Sequence, residues 1–203
     1  KSYRVAILSD DIDFVVIASP TKTHYKIAKL SLQKRKHVLC EKPLSLNLNE
    51  VVDLIQLSKK MKKFLFVDYP FIYSESVSFI KKTMNQKKLG KALIYESIRE
   101  KAPYRKDTDV IWDLGIHDFA ILQFLLNKNP YKFNVTTSKT NKKYKSDFAN
   151  INLSYKKNFN AFIKLNWASS IKTRLIKIYF EKGLLIYDEN DGFNKVRVYK
   201  KSK

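Results

Sequence analysis

The chain has 203 residues, 44% hydrophobic and 13% aromatic, enough for one large core or two small ones and too apolar for a disordered polypeptide. Its formal charge is +21, but only six of the 40 basic residues are arginines and the lysines run through every segment; this reads as a solvated surface rather than a nucleic-acid footprint. No apolar run reaches the roughly 18 residues of a membrane span, and the single cysteine, Cys40, excludes an internal disulfide and fits a reducing cytoplasm.

In chain order, Phe14-Val15-Val16-Ile17-Ala18 is a short apolar, β-branched run stopped by Ser19-Pro20, the pattern of a strand buried on both faces in a parallel sheet. Positions 23–34 carry Ile27, Ala28, Leu30 and Leu32 among lysines, which predicts a surface helix. His37-Val38-Leu39-Cys40 is a second strand, ended by Glu41-Lys42-Pro43. Asn47 or Asn49 can cap a helix running to Met61, and Phe64-Leu65-Phe66-Val67 is a third strand. Strand and helix alternating through short links implies right-handed βαβ crossovers and a parallel sheet.

The pattern changes near Tyr69-Pro70, where a domain boundary is expected between 1–69 and 70–203. A helix over 74–84 precedes a strand over 92–101, and a helix over 113–126 follows a loop through Pro103. After that the reading is almost all β: 131–140, 147–155, 160–167, 175–180, 184–188 and 195–199, with turns at Lys157-Asn158, Glu181-Lys182-Gly183 and Asp191-Gly192. Strands segregated from helices predict an α+β domain with a mainly antiparallel sheet.

Three motifs carry chemistry. Ala18-Ser19-Pro20-Thr21-Lys22-Thr23-His24 lies where an open α/β sheet binds ligands, outside the carboxyl end of a strand and at a helix start; the alternative is an ordinary capped helix with a solvent-facing His24. Glu41-Lys42-Pro43 closes the next strand, and a lysine there can stabilise a developing alkoxide, or be one more charged turn in a lysine-rich chain. Asp113 and His117 are four apart in Trp112-Asp113-Leu114-Gly115-Ile116-His117-Asp118, a spacing that puts both on one helix face and lets the carboxylate orient a general base. The alternative is that Asp113 favours the helix N-terminus and His117 packs below it. No third and fourth ligand accompanies the pair, so no metal site is expected.

Together the three motifs resemble the glucose–fructose oxidoreductase/inositol dehydrogenase (Gfo/Idh/MocA) family, from Asp13 to about Asp188. The resemblance implies a partial Rossmann-like parallel sheet followed by an α+β domain with a large, mainly antiparallel sheet. It implies NAD or NADP bound by Ala18, Ser19, Pro20, His24, Glu41 and Lys42, and a catalytic trio of Lys42, Asp113 and His117. It implies a sugar or nucleotide-sugar substrate, within reach of Tyr104, Arg105 and Trp112, and a homodimer or homotetramer built through the C-terminal sheet. Two departures stand out. The four glycines, Gly90, Gly115, Gly183 and Gly192, form no GxGxxG, and the stretch before Asp13 reads as the end of a later helix. About two βα units of the nucleotide domain are therefore expected to be absent, by the size of a βαβ unit, and the last strand stops where similar proteins continue. A fragment or half of a split protein is the expectation. A non-catalytic binding or assembly protein, and a nucleic-acid-binding protein, remain the competing readings.

Overall fold

The computed structural model describes residues 2–143 and 145–201. They fall into two compact units, Lys1–Tyr69 and Pro70–Lys203.

The first unit runs α1 (Tyr3–Leu8), β1 (Phe14–Ile17), α2 (Thr21–Gln33), β2 (His37–Glu41), α3 (Leu48–Met61) and β3 (Leu65–Asp68). The strands pair in parallel in the order β1-β2-β3. Asn47 caps α3, its side chain accepting from the Asn49 amide at 2.9 Å, and Lys62 ends the helix in the left-handed conformation, φ 53°. The apolar sides of α2 and α3 bury Ala28, Leu32 and Leu54 against Ile17, Val38 and Cys40.

The expectation that β1 is covered on both faces does not hold. Ile17 and Cys40 are in register and buried, whereas Val16 and Phe66, both in register with Leu39, are 61% and 51% exposed. Phe14 and Phe64 are exposed as well. Both helices lie on one face, so this parallel sheet has one finished side and one bare apolar side.

The second unit opens with a 3₁₀ turn, Pro70–Tyr73, and continues with α4 (Glu75–Gln86), β4 (Ala92–Glu100), a π turn at Ile111–Gly115, α5 (Ile116–Leu126), and β5 (Lys132–Ser138) to β10. The intervening strands are β6 (Phe148–Tyr155), β7 (Phe159–Asn166), β8 (Thr173–Phe180) and β9 (Gly183–Asp188), and β10 is Val196–Lys200. They make one seven-stranded sheet, β10-β9-β8-β4-β7-β6-β5, antiparallel except where β4 runs beside β7. The α+β architecture with a large, mainly antiparallel sheet is therefore present. Alternation along the strands sends Tyr95, Ile151, Ala161, Ile163, Leu165, Ile176 and Ile178 inward, against Val77 and Ile80 of α4 and Ile121 and Leu122 of α5. The opposite face is latticed with charge: Lys164 to Glu100 at 2.9 Å, Lys177 to Glu96 at 3.6 Å, and the Tyr179 hydroxyl donating to Glu96 at 2.9 Å. Among the described residues no helix is long and apolar enough to cross a membrane.

Candidate active site

In the first unit, the loops after β1 and β2 leave the sheet side by side, because Ile17 and Cys40 are register partners. His24 joins them. It is buried in the first turns of α2, not solvent-facing, with Nε2 2.7 Å from the Ser19 carbonyl and Nδ1 2.8 Å from the Pro43 carbonyl. Both partners are acceptors, so a neutral imidazole can donate to only one of them at a time. His24 thus stitches the Ala18-Ser19-Pro20 loop to the Glu41-Lys42-Pro43 loop from beneath, rather than lining a surface. The Ser19 and Thr23 hydroxyls share a 2.6 Å hydrogen bond above it. Pro20 is the N-cap of α2, and no acidic residue occupies the first turn of that helix. Glu41 is exposed and Lys42 half-buried at the end of β2, with the Lys42–Pro43 bond cis. Cys40, one residue earlier, has its thiol pushed up to about 12 by burial, with Glu41 adding to the effect.

In the second unit, the segment 104–113 is organised by three carboxylates, Asp107, Asp109 and Asp113. Asp109, not Asp113, caps the helix: its side chain accepts from the amides of Ile111 and Trp112 at 3.0 and 3.1 Å, and its carbonyl from the Asp113 amide. The helix expected to start at Asp113 begins earlier, as the π turn, and the wider i→i+5 pattern changes the angular offset between positions 113 and 117. Gly115 ends that turn against β7, where an added Cβ would come within 2.9 Å of Leu165 Cδ1.

Relieved of capping, Asp113 accepts a hydrogen bond from the Trp167 indole Nε1 at 3.0 Å through Oδ2 and lies 3.6 Å from Arg105 Nη1 through Oδ1. Arg105 is aimed by a two-pronged pair with Asp107, at 3.2 and 3.1 Å. The bond to Asp107 raises the Arg105 pKa above its usual value against partial desolvation, and Asp113 adds to the rise. Tyr104 packs edge-on against Trp167, ring centres 5.7 Å apart. His117, in the first turn of α5, stands T-shaped to Phe71 with centroids 4.8 Å apart.

The structure therefore gathers Tyr104, Arg105 and Asp113 around Trp167. Trp112 is 39% exposed, and its backbone amide, rather than its indole, is tied down. Lys42 belongs to the first unit, and Asp113 and His117 to the second. Trp167, Asp109 and Phe71 were not singled out from sequence. Trp167 reads simply as the end of an apolar strand, and its partner Asp113 is 54 residues away. No cluster of three or more potential metal ligands occurs among the described residues.

Residues 2–69 match the model of an oxidoreductase family with an NAD-binding Rossmann fold, and residues 80–186 match the Gfo/Idh/MocA C-terminal domain. The chain is 29% identical over 124 residues to myo-inositol 2-dehydrogenase of Thermotoga maritima, an alignment covering 58% of this chain and 37% of that protein. It is 30% identical over 129 residues to UDP-N-acetylglucosamine 3-dehydrogenase of Acidithiobacillus ferrooxidans, covering 62% and 40%. These alignments span about two fifths of the length of either relative. The crystal structure of the WlbA dehydrogenase from Bordetella pertussis, in complex with NADH and UDP-GlcNAcA, superposes with a TM-score of 0.87 at 16% identity, covering 100% of this chain and 67% of that one. With a nucleotide-domain match over one unit and a C-terminal-domain match over the other, the chain belongs to the Gfo/Idh/MocA oxidoreductase family.

Proposed function

We propose that the complete protein moves a hydride between a nicotinamide dinucleotide, NAD or NADP, and a secondary hydroxyl or keto carbon of a sugar or nucleotide sugar. One observation carries the reading: Asp113 is freed from capping and held by Trp167 and Arg105, one turn before His117. The sugar class rests on the relatives, one named for inositol and one for a UDP-sugar.

The residues of the first unit fit the nicotinamide half of the cofactor. Two strand-end loops are fixed together by His24 at the carboxyl edge of a parallel sheet, and the positive end of α2 carries no competing acid. Ala18, Ser19, Pro20, Glu41 and Lys42 would line that half. No glycine precedes Gly90, so these residues do not include a close turn for the pyrophosphate. When bound, the cofactor supplies the hydride acceptor at nicotinamide C4. His117 takes the hydroxyl proton at a ring nitrogen. Asp113, whose carboxylate has acceptor capacity beyond the Trp167 bond, orients the imidazole and favours its protonated form. Lys42 stabilises negative charge on the substrate oxygen.

In the complete enzyme, His117→Ala should lower kcat by about 10²–10⁴-fold, the usual contribution of a general acid–base group. Hydride transfer at the wild-type rate in folded His117→Ala protein would remove the residue from the mechanism.

The bare face of the first unit favours a further layer there, a strand on the open edge of β1 with a helix over Val16 and Phe66. This layer would bring the pyrophosphate turn. The 203-residue chain should then bind NADH weakly in a fluorescence titration, and a chain extended upstream tightly. Micromolar binding by the short chain would show that another surface cradles the phosphates. The charge-latticed face of the large sheet is where we place a homodimer or homotetramer contact; a monomer by sedimentation at high concentration would count against it.

A further inference from the structure

Asp118 follows His117 in α5 yet has no part in the chemistry above. It is fully buried, and it accepts from the Tyr95 hydroxyl at 2.6 Å and from Arg99 Nε at 2.7 Å. Arg99, 2% exposed, also lies 3.6 Å from Glu189 and sets its guanidinium carbon 4.8 Å over the Phe71 ring. Burial works to lower the Arg99 pKa, but Asp118, Tyr95 and Glu189 outweigh it and leave it raised, so the guanidinium stays charged. Phe71 is the ring against which His117 stands. Arg99 therefore touches both neighbours of the imidazole, Asp118 in the chain and Phe71 in space.

Resting on the assignment of His117 as the acid–base group, we propose that Arg99 and Asp118 are positioning residues that set the rotation of the first turn of α5, with Phe71 carrying that setting to the His117 ring. The reason lies in the π turn. The change from i→i+5 to i→i+4 bonding falls at Gly115–Ile116, immediately before His117. A slip of one residue back to regular helix would turn every following side chain by about 100°. Apolar packing alone resists such a slip poorly, because α5 carries apolar residues on most of its sides: Ile116, Phe119, Ile121, Leu122, Phe124 and Leu125. Directional bonds resist it well. Asp113 is held upstream of the junction by Trp167 and Arg105, and Asp118 downstream by Arg99 and Tyr95. The side chain at 99 is one of six arginines in a chain that otherwise uses lysine, and only arginine offers the Nε donor and the flat face together.

The test needs neither cofactor nor substrate. The chain has three histidines, His24, His37 and His117, whose ring protons can be followed by NMR and assigned by His117→Ala. Arg99→Lys keeps the charge and loses the fork and the plane; Phe71→Leu removes the ring against His117. Both should stay folded by circular dichroism, move the His117 signals, and leave those of His24 and His37 in place. In the complete enzyme Arg99→Lys should lower kcat with KM little changed, by up to about 10²-fold, as a misplacement of reacting groups does. A folded Arg99→Lys protein with His117 signals at their wild-type positions would overturn the proposal. Should Arg99→Lys fail to fold, Tyr95→Phe, which removes one bond to Asp118 and leaves the Phe71 ring in place, decides by the same signals. A fully active His117→Ala enzyme alongside shifted His117 signals would keep the positioning and sink the catalytic reading.

Discussion

The two sheets of this protein each leave a face uncovered, and the two faces are unlike. The outer face of the seven-stranded sheet alternates Ile98 and Leu175 with Glu96, Lys177, Lys164 and Glu100, bonded to one another across the strands. The bare face of the three-stranded sheet presents Phe14, Val16, Phe64 and Phe66 with no charge pair among them. Antiparallel sheets tolerate water on one side, and parallel sheets are normally covered on both. The large sheet is finished as it stands, or able to wait for a partner; the small one is patterned for more protein.

The sharpest way to break this contrast is to attack the finished side. Asp118→Ala leaves Arg99 charged and without its main partner inside the large core, which should cost about 3–5 kcal/mol and lower the denaturant midpoint of the second unit. A loss under 1 kcal/mol would mean that the core does not depend on the pair. In the first unit, His24→Ala removes the one imidazole donor that the Ser19 and Pro43 carbonyls share. An unsatisfied buried polar group costs about 1–3 kcal/mol, and water reaching the loops should hold the loss to the lower end. Thermal unfolding reads the loss, and faster amide exchange at Ala18, Ser19, Glu41, Lys42 and Leu44 shows that it is local.

A pH experiment sharpens the contrast further. Burial pushes the Asp147 carboxyl up, but the donors it gathers, the amide and hydroxyl of Thr140 and the amide of Asn141, outweigh burial and hold it below its ordinary value. A depressed native pKa gives stability that is complete above about 4, the unfolded carboxylate value, and is lost as pH falls through the native value. Asp147→Asn should therefore lower stability at neutral pH and little at the acid end, flattening the acid limb of the stability curve. A parallel downward shift at every pH would assign Asp147 a packing role alone. The smallest effect is expected on the bare face: Val16→Lys and Phe66→Lys should change the stability of this chain by less than about 0.5 kcal/mol, as surface substitutions do, while raising its solubility. A large destabilisation would mean that the face is already covered.

Much of this was legible in sequence, for reasons specific to each element. Phe14–Ile17, followed by the apolar spacing of α2, is a short-range signal, and so is the switch to alternating strands after Leu126. Asp113 and His117 were singled out because four-residue spacing is visible along the chain. What spacing cannot carry is which side of a strand another layer covers, so β1 was read as doubly buried. Nor can it tell a π turn from an α turn, because Asp109 and Asp113 are both plausible caps until the amides of Ile111 and Trp112 choose one. Long-range partners were also beyond it: Trp167 for Asp113, Arg99 for Asp118, and the two carbonyls that hold His24 inside.

Cys40 gives the small sheet a reporter of its own. Its side chain lies buried between the register partners Ile17 and Val67, and burial has made it a poor nucleophile. Since thiolate is the reactive form, an alkylating reagent will meet it only when the β1-β2-β3 sheet opens. The rate of alkylation then counts openings of that sheet alone, with no second thiol in the chain to confuse the count. If a further strand and helix cover Val16 and Phe66, their arrival will register as a slower reaction at Cys40, on a part of the molecule they do not touch.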